Sequence, residues 1–367
     1  MLLTFLISVL VVSGIGAVLA AVLAVAEYFV ANYGECKITV NDEKEITVNG
    51  GGNLLSALTA QKLFIPSACG GRGTCGLCKL KVLEGAGQIL PTEEPYMTKQ
   101  EIAENVRLSC QVKVRNDLKI LIPKELLSIQ EYKTKCAKII DLTADMKLFR
   151  LELLEPATMD YTPGQYVQFF TPKYEGSREE VYRAYSIASD PTQKNIIELI
   201  IRLVPKGICT TYCFNFLKEN DDVKINGPYG EFYLRNTDAE IIFIAGGSGV
   251  APIRCILFDM KNTGNKRKAT FYFGANTAAD MCLVDEMKQF EKDLPNFKFV
   301  PVIARPAEGE NWEGETGLVT QAVERNEKNI PQCEGYLCGS PGMIDASIKV
   351  LTGLGMKEDK IYYDKFA

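Results

Sequence analysis

The sequence contains no histidine among its 367 residues. This absence excludes zinc sites with histidine ligands, Rieske clusters, histidine-ligated haem and acid–base catalysis by imidazole. Transfer of electrons and hydride between bound cofactors needs no imidazole, because the cofactors carry that chemistry. The composition is therefore compatible with a cofactor-dependent redox protein.

Long basic runs are also absent. None exceeds Lys266-Arg267-Lys268, and the net charge is −5, so there is no electrostatic reason to expect nucleic acid as a partner. The chain has 47% hydrophobic and 24% charged residues, which is ordinary for globular proteins. Its length predicts two or three domains, and no internal repeat or low-complexity tract is present.

Charge is absent from the first part of the chain, Leu2 to Ala26. A helix of this length can cross a hydrocarbon core about 30 Å thick, which predicts a transmembrane helix within residues 1–33. A cleaved signal peptide is the alternative, but it would need a basic start, and no Lys or Arg precedes Lys37.

Positive charges occur only after this helix, which favours an external N-terminus and a cytoplasmic location for the rest of the chain. The expected location is therefore the cell inner membrane, with a single pass. Small residues at Gly16, Ala20 and Ala24 recur at a spacing of four and would let a partner membrane helix approach closely. Tyr28 and Tyr33 would act as interfacial anchors.

Cysteine, by contrast, is abundant, with 12 residues. Cys69, Cys75 and Cys78 form a C-x5-C-x2-C pattern and Cys110 follows. The plant-type ferredoxin spacing is C-x4-C-x2-C with a distant fourth cysteine, so these four residues are the predicted ligands of a [2Fe-2S] cluster. Intervening glycines would let backbone N–H groups approach the sulfur atoms. An all-cysteine zinc site is the alternative, but it usually has two close pairs, and Cys110 has no close cysteine neighbour.

The other cysteines show no ligand spacing and are predicted to be mostly small buried hydrophobic residues, with Cys36 and Cys338 as possible exceptions. These are Cys36, Cys136, Cys209, Cys213, Cys255, Cys282, Cys333 and Cys338.

Beyond the helix, the sequence pattern changes twice. Residues 34–125 combine a hairpin, a short helix and the cysteine loop, and this mixture predicts an α+β domain. Residues 130–236 contain many short β-type runs, which predict an antiparallel barrel. Residues 237–367 alternate buried strands with helices, which predicts a parallel α/β sheet.

Two segments of the predicted barrel suit a flavin. Arg183, Tyr185 and Ser186 offer a cation, an aromatic platform and a hydroxyl at strand spacing. Gly207 to Thr211 precede a helical run and could hold a phosphate at a helix N-terminus. Either segment alone is also an ordinary strand or helix start.

Two glycine-containing turns follow strands of the predicted parallel sheet. Residues 245–252 read Ala-Gly-Gly-Ser-Gly-Val-Ala-Pro, and residues 338–343 read Cys-Gly-Ser-Pro-Gly-Met. Such turns at the carboxyl ends of strands bind nucleotides in α/β proteins. The first is not the G-x-G-x-x-G fingerprint, so simple tightening of a strand–helix turn stays open for it.

The order of these motifs resembles the ferredoxin-NADP+ reductase superfamily. The resemblance rests on Arg-x-Tyr-Ser, Gly-x-x-Thr, Gly-Pro-Tyr-Gly, the two turns and a terminal aromatic residue. An N-terminal ferredoxin module adds similarity to oxygenase reductases. With the leading helix and the C-x5-C-x2-C loop, nearly the whole chain is similar to the family of F subunits of sodium-pumping NADH:quinone oxidoreductases.

The resemblance implies roles for individual residues in FAD binding. Arg183, Tyr185 and Ser186 would bind FAD, with Ser186 beside the flavin ring. Phe366 would cover the flavin face until the nicotinamide displaces it; a frayed tail is the alternative for this residue. The residues implied to contact the FAD pyrophosphate are Gly207, Ile208, Cys209 and Thr210.

The resemblance also implies an NADH site in which Cys338 lies close to the nicotinamide. Asn276 stands where relatives often have arginine, and without that partner for a 2′-phosphate, NADH is favoured over NADPH. The residues implied to bind NADH are Gly246, Gly247, Ser248, Gly249, Pro252, Cys338, Gly339, Pro341 and Met343.

The function implied is electron input to a respiratory complex. The chain would oxidise NADH, pass electrons through FAD to the [2Fe-2S] cluster, and deliver them to integral membrane subunits and indirectly to quinone. One alternative is an anchored NADH-dependent reductase for another acceptor, such as an oxygenase or a related membrane complex. Another is a non-enzymatic, anchored ferredoxin-like carrier.

Overall fold

The computed structural model describes residues 2–30, 33–306, 312–328 and 330–366. Positions 1, 31–32, 307–311, 329 and 367, which the predicted domain ranges include, lie outside the described residues. The chain divides into two compact units, one comprising residues 1–65 and 71–128 and the other residues 66–70 and 129–367.

The first unit begins with helix α1 (Leu2–Val30). It is 29 residues long, or about 43 Å at the α-helical rise. The large apolar side chains between Phe5 and Leu23 are exposed to solvent rather than packed in a core. Its length and composition suit a membrane-crossing helix, as predicted, and a signal sequence would have the same properties.

The remainder of the first unit is an α+β domain with a mixed five-stranded sheet in the order β2-β1-β5-β3-β4. The predicted hairpin is present, and its first strand also pairs in parallel with β5. The strands are β1 (Glu35–Val40), β2 (Lys44–Asn49), β3 (Lys79–Glu84), β4 (Val106–Leu108) and β5 (Leu118–Leu121). The helices are α2 (Leu54–Ala60), α3 (Lys99–Ala103) and α4 (Lys124–Leu127).

Helix α2 shows why this segment is helical. The Asn53 side chain accepts a hydrogen bond from the Ser56 N–H at 2.8 Å and so caps the first turn. Leu54, Leu55 and Leu58 are buried on the face that packs into the core. The helix ends two residues earlier than the predicted Lys62, which has a positive φ of 59°.

The second unit begins, apart from residues 66–70, with an antiparallel six-stranded sheet in the order β10-β7-β6-β11-β8-β9. Ile187, just after β9, bridges to Leu199 of β10, which brings the two edge strands together. The predicted barrel is therefore confirmed. Its strands are β6 (Gln130–Asp141), β7 (Met146–Glu155), β8 (Tyr166–Thr171), β9 (Val181–Ser186), β10 (Ile196–Arg202) and β11 (Asp222–Tyr229), and helix α5 (Ile208–Asn215) lies between the last two in sequence.

The rest of the second unit is a parallel six-stranded sheet in the order β15-β14-β13-β12-β16-β17, as predicted. Buried hydrophobic clusters pack on it with the helices. The strands are β12 (Ile241–Gly246), β13 (Ala269–Ala275), β14 (Phe297–Ile303), β15 (Glu315–Thr316), β16 (Glu334–Gly339) and β17 (Ile361–Lys365). The helices are α6 (Val250–Thr263), α7 (Val284–Asp293), α8 (Val319–Asn326) and α9 (Pro341–Gly353).

A buried charge network joins the barrel to the parallel sheet. Arg254 of α6 donates to Glu198 of β10 at 2.7 Å and to Glu286 of α7 at 2.7 Å. It also donates to the carbonyl of Ala188 at 2.6 Å. Burial opposes the charge of Arg254, but the two carboxylates outweigh burial and raise its pKa. Each buried charge is therefore compensated by a partner.

Candidate functional site

In the first unit, two of the predicted ligands lie side by side. Cys78 precedes β3 and Cys110 follows β4, and these strands pair antiparallel, with Lys79 opposite Leu108. The register places the cysteines together, and the Ser109 N–H donates to the Cys78 carbonyl at 2.8 Å. Both thiols are buried. A hydrogen bond between them, followed by burial, raises the pKa of Cys78.

This thiol pair meets the requirement of one iron in a two-iron cluster, which takes two thiolates per iron. No three histidine, cysteine or acidic side chains among the described residues surround a position for a single metal ion. The Ser109 hydroxyl is buried next to the pair and makes no hydrogen bond of ordinary geometry, although it lies near enough to lower the pKa of Cys78. The donor set therefore fits a [2Fe-2S] cluster.

The glycines of the cysteine loop have the backbone conformation that the prediction required. Gly71, Gly73 and Gly76 have φ values of +81°, +76° and +70°, which other residues rarely adopt. A Cβ at Gly76 would lie 2.7 Å from the Tyr96 ring. Side chains at these positions would strain the loop that carries Cys75 and Cys78.

Cys69 groups with the second unit. Its Sγ lies 3.9 Å from the Ser67 hydroxyl, and the carbonyl of Ser67 accepts a hydrogen bond from Gln168 of β8 at 3.4 Å. Cys69 and Cys75 are both half-buried. Their roles as the remaining cluster ligands stay a prediction.

The eight other cysteines are all buried and free of disulfides. This agrees with their predicted role as small hydrophobic residues. Cys36, one of the possible exceptions, donates to the Tyr33 carbonyl at 3.8 Å.

The predicted flavin residues lie together on β9. Tyr185 packs edge-on against Phe169 of β8, and its hydroxyl donates to Cys209 Sγ of α5 at 3.3 Å. The Arg183 guanidinium donates to the Tyr182 carbonyl at 2.6 Å. These contacts hold the cation and the aromatic ring in place on one strand.

Three buried polar atoms on neighbouring strands make no hydrogen bond of ordinary geometry among the described residues. They are Thr171 Oγ1, Ser186 Oγ and Asn226 Nδ2. Buried polar groups without partners are rare in folded proteins, and a bound ligand is one common reason for them. The three strands β8, β9 and β11 therefore present polar groups that fit FAD.

Helix α5 begins with an open N-terminus at Gly207, which has no side-chain cap. A Cβ at Gly207 would lie 2.6 Å from the Thr210 hydroxyl, so glycine is required for this turn. That hydroxyl accepts from the Val204 N–H at 3.1 Å and donates to the Val204 carbonyl at 3.2 Å. The uncapped N–H groups fit a pyrophosphate, whereas the Thr210 hydroxyl shapes the turn.

The Cys209 thiol of this helix is buried beside Cys213. A hydrogen bond from Cys213 lowers the pKa of Cys209 to about 7, with further contributions from Thr171 and Tyr185. Cys209 is therefore packed within the proposed flavin site.

The two predicted nicotinamide turns contact each other. Gly249 packs on the end of β16, where an added Cβ would lie 2.2 Å from the Cys338 carbonyl. A Cβ at Gly246 would lie 2.9 Å from Met343 Sδ. Both turns lie at the carboxyl ends of adjacent parallel strands, β12 and β16, where α/β sheets bind nucleotides. Pro252 lies buried in the first turn of α6, and Pro341 begins α9.

Four side chains define a flavin–nicotinamide corner: Ser186, Cys338, Asp364 and Phe366. Asp364 of β17 pairs in register with Cys338 of β16. Its carboxyl lies near enough to Ser186 for that hydroxyl to affect its pKa. Loss of hydration outweighs this effect and raises the pKa of Asp364 to about 6. Burial, followed by the Asp364 charge, raises the pKa of Cys338.

Phe366 is ordered rather than frayed. Its N–H donates to the Gly339 carbonyl at 2.8 Å, and its ring packs against the core cluster that contains Cys338. Strand β17, which positions it, was not predicted. The run Ile361-Tyr-Tyr-Asp is consistent with a strand, but its edge position beside β16 depends on tertiary pairing.

The sequence motifs also missed Asp364 and Arg202. Arg202, the last residue of β10, lies against the first turn, with its Nη1 3.2 Å from the position of a Cβ at Gly247. It also donates to Asp145 at 2.7 Å. A single cation after six consecutive buried strand residues is a weak sequence signal, which explains why it was missed.

Comparison with known protein families assigns each region. Residues 38–115 match the 2Fe-2S iron-sulfur cluster binding domain. Residues 133–233 match the oxidoreductase FAD-binding domain, and residues 243–349 match the oxidoreductase NAD-binding domain. The predicted cofactor classes are therefore confirmed.

Curated relatives extend this match over the whole chain. The F subunit of the Na(+)-translocating NADH-quinone reductase from Neisseria gonorrhoeae is 36% identical, covering 95% of this chain and 96% of the relative. Its counterpart in Pseudomonas aeruginosa is 34% identical, covering 95% of both chains. The chain belongs to this family of F subunits.

Solved structures agree with the fold of the family. A cytochrome P450 reductase from Amycolatopsis superposes with a TM-score of 0.72 at 27% identity, covering 90% of this chain and 98% of that one. The ferredoxin reductase of a carbazole 1,9a-dioxygenase gives a TM-score of 0.70 at 24% identity, covering 91% and 98%. The predicted fold class and family resemblance are confirmed.

Proposed function

We propose that this chain is the electron-input subunit of a sodium-pumping NADH:quinone oxidoreductase. It oxidises NADH and passes the electrons through FAD to a [2Fe-2S] cluster and on to other subunits. FAD supplies the step from two-electron to one-electron chemistry, because it accepts a hydride and can release electrons singly. Family membership and the three matched domains support this role.

The observation that carries the proposal is the flavin–nicotinamide corner. Ser186 comes from the proposed FAD segment, Cys338 from the proposed NADH segment, and Asp364 lies near both. Hydride transfer needs the two ring systems in contact within a site that excludes water. Phe366 beside Gly339 supports a role in covering the flavin face before the nicotinamide enters.

The remaining contacts are assigned to residues whose structure suits them. Arg183, Tyr185 and the uncapped N-terminus of α5 hold FAD, and the two turns after β12 and β16 hold NADH. Cys69, Cys75, Cys78 and Cys110 hold the cluster. The residues implied by family resemblance keep their assignments, with the Thr210 hydroxyl supporting the turn.

The partners are integral membrane subunits, and quinone receives the electrons indirectly. We place α1 across the inner membrane with the rest of the chain on the cytoplasmic side, which the charge distribution favours. The relatives are named as one lettered component of a reductase, which implies further subunits. An oxygenase reductase remains the second candidate, since two structural neighbours serve oxygenases, but such an enzyme does not need the exposed apolar helix α1.

Purification from the native membrane in mild detergent tests this assignment. We expect hydrophobic subunits to co-purify, together with sodium-stimulated quinone reduction by NADH. The isolated chain should be yellow-brown and be bleached much faster by NADH than by NADPH. A chain that purifies alone and reduces an oxygenase component instead would favour the second candidate.

A further inference from the structure

Gln111, directly after a predicted cluster ligand, directs its side chain at that ligand. Its Nε2 lies 3.5 Å from Cys110 Sγ, within reach of an N–H···S hydrogen bond. Its Oε1 accepts a hydrogen bond from the Thr92 hydroxyl at 3.1 Å. Because the carbonyl end of the amide is occupied by Thr92, the N–H end faces the sulfur.

The cysteine loop leaves space for this amide only because of a glycine. A Cβ at Gly73 would lie 2.5 Å from Gln111 Nε2, and Gly73 has a φ of +76°. Any other residue at position 73 would push the amide away or strain the backbone. The amide is therefore packed between the loop and Cys110.

The loop that carries Thr92 is itself fixed by a buried ion pair. Glu93 is fully buried, and Arg107 donates to it at 2.6 Å. The carboxylate also accepts from the N–H groups of Leu90 and Leu108, each at 2.9 Å. Since Leu108 lies two residues before Cys110, one carboxylate anchors both the Thr92 loop and the ligand strand.

We propose that Gln111 is a positioning residue that raises the reduction potential of the [2Fe-2S] cluster, and that Thr92 orients it. Reduction adds negative charge to the cluster, and an N–H donor to a ligand sulfur stabilises the more negative state. This inference rests on the proposed function, because it takes Cys110 as a cluster ligand. It adds a residue that sets how readily the cluster accepts an electron.

Gln111→Leu in the full-length chain tests the proposal by an EPR-monitored dithionite titration of the cluster. We expect the equilibrium for cluster reduction to become about tenfold less favourable, which is ~59 mV more negative for a one-electron couple. Thr92→Val should shift the midpoint in the same direction by less, and Thr92→Ser, which keeps the hydroxyl, should restore it. Gln100→Leu removes an exposed glutamine of α3 that bonds Glu104, and is the matched control with no expected shift.

The possible results separate this inference from the proposed function. Absence of a [2Fe-2S] signal in the unmodified chain would contradict the proposed function itself. A normal signal whose midpoint is the same in Gln111→Leu would overturn the role of Gln111. If Gln111→Leu loses its cluster, Thr92→Val decides: an unchanged midpoint there overturns the proposal, and a more negative one supports it.

Discussion

The cysteine loop takes three of its four predicted ligands from residues 69–78, whereas the flavin–nicotinamide corner takes its side chains from segments as far apart as β9 and β17. The loop is shaped mainly by its own glycines, with positive φ at Gly71, Gly73 and Gly76. The corner forms only because β16 and β17 pair in register and the barrel supplies Ser186. A compact motif thus specifies one site, and tertiary packing assembles the other.

The largest expected effect tests the compact site. Cys110→Ser should abolish the EPR signal of the cluster, because serine does not replace a soft thiolate ligand, while NADH still bleaches the flavin. Cys36→Ser is the matched control, since Cys36 is also a buried cysteine of the first unit. A surviving signal in Cys110→Ser would remove Cys110 from the ligand set.

The second prediction tests the framework of the assembled site. Arg254→Met leaves Glu198 and Glu286 without their buried cation and should lower the free energy of unfolding by about 3–5 kcal/mol. Lys261→Met, on the same helix, removes a partly exposed pair with Asp293 and should cost at most about 1 kcal/mol. Urea unfolding monitored by flavin fluorescence measures both. Equal losses would show that the buried network does not hold the corner together.

The third prediction concerns pH and Asp364, whose pKa is raised to about 6 from 3.8. The folded state binds this proton more tightly than the unfolded state, so stability falls as pH rises from about 4 to about 6 and stays lower above that. Asp364→Asn removes the penalty and should stabilise the protein by about 1–2 kcal/mol at pH 7.5, with partial exposure reducing the full conversion.

The gain from Asp364→Asn should shrink towards pH 4.5, which thermal unfolding at the two pH values measures. Asp345→Asn is the control, because that carboxylate is exposed on α9 and pairs with Lys365. A gain that does not depend on pH would mean that Asp364 is not held in a desolvated position.

The smallest expected effect concerns cofactor choice at the edge of the assembled site. Asn276 follows β13, and Asn276→Arg supplies a cation for a 2′-phosphate. We expect the ratio of NADPH to NADH oxidation rates to rise about fivefold to tenfold, as one charge-assisted hydrogen bond would give. Asn276→Gln is the uncharged control. An unchanged ratio in the arginine variant would place the 2′ position elsewhere.

The features predicted correctly from sequence are those with a local cause. The uncharged stretch predicted α1, the alternating apolar residues predicted the hairpin, and buried runs such as Ile241–Ala245 predicted the parallel strands. The missed features have remote causes. Strand β17 depends on pairing with β16, and the position of Arg202 against Gly247 depends on contact between the barrel and the parallel sheet.

The sequence by itself determined the cofactor classes, because thiol spacing, turn glycines and the order of motifs act over short stretches of chain. The tertiary structure decided which side chains share a site. Asp364 lies near Ser186 and Cys338 through strand pairing and packing, and Gln111 faces Cys110 through a hydroxyl nineteen residues away, held by a buried ion pair. Burial and hydrogen-bond direction arise only when distant segments pack, and no local pattern contains them.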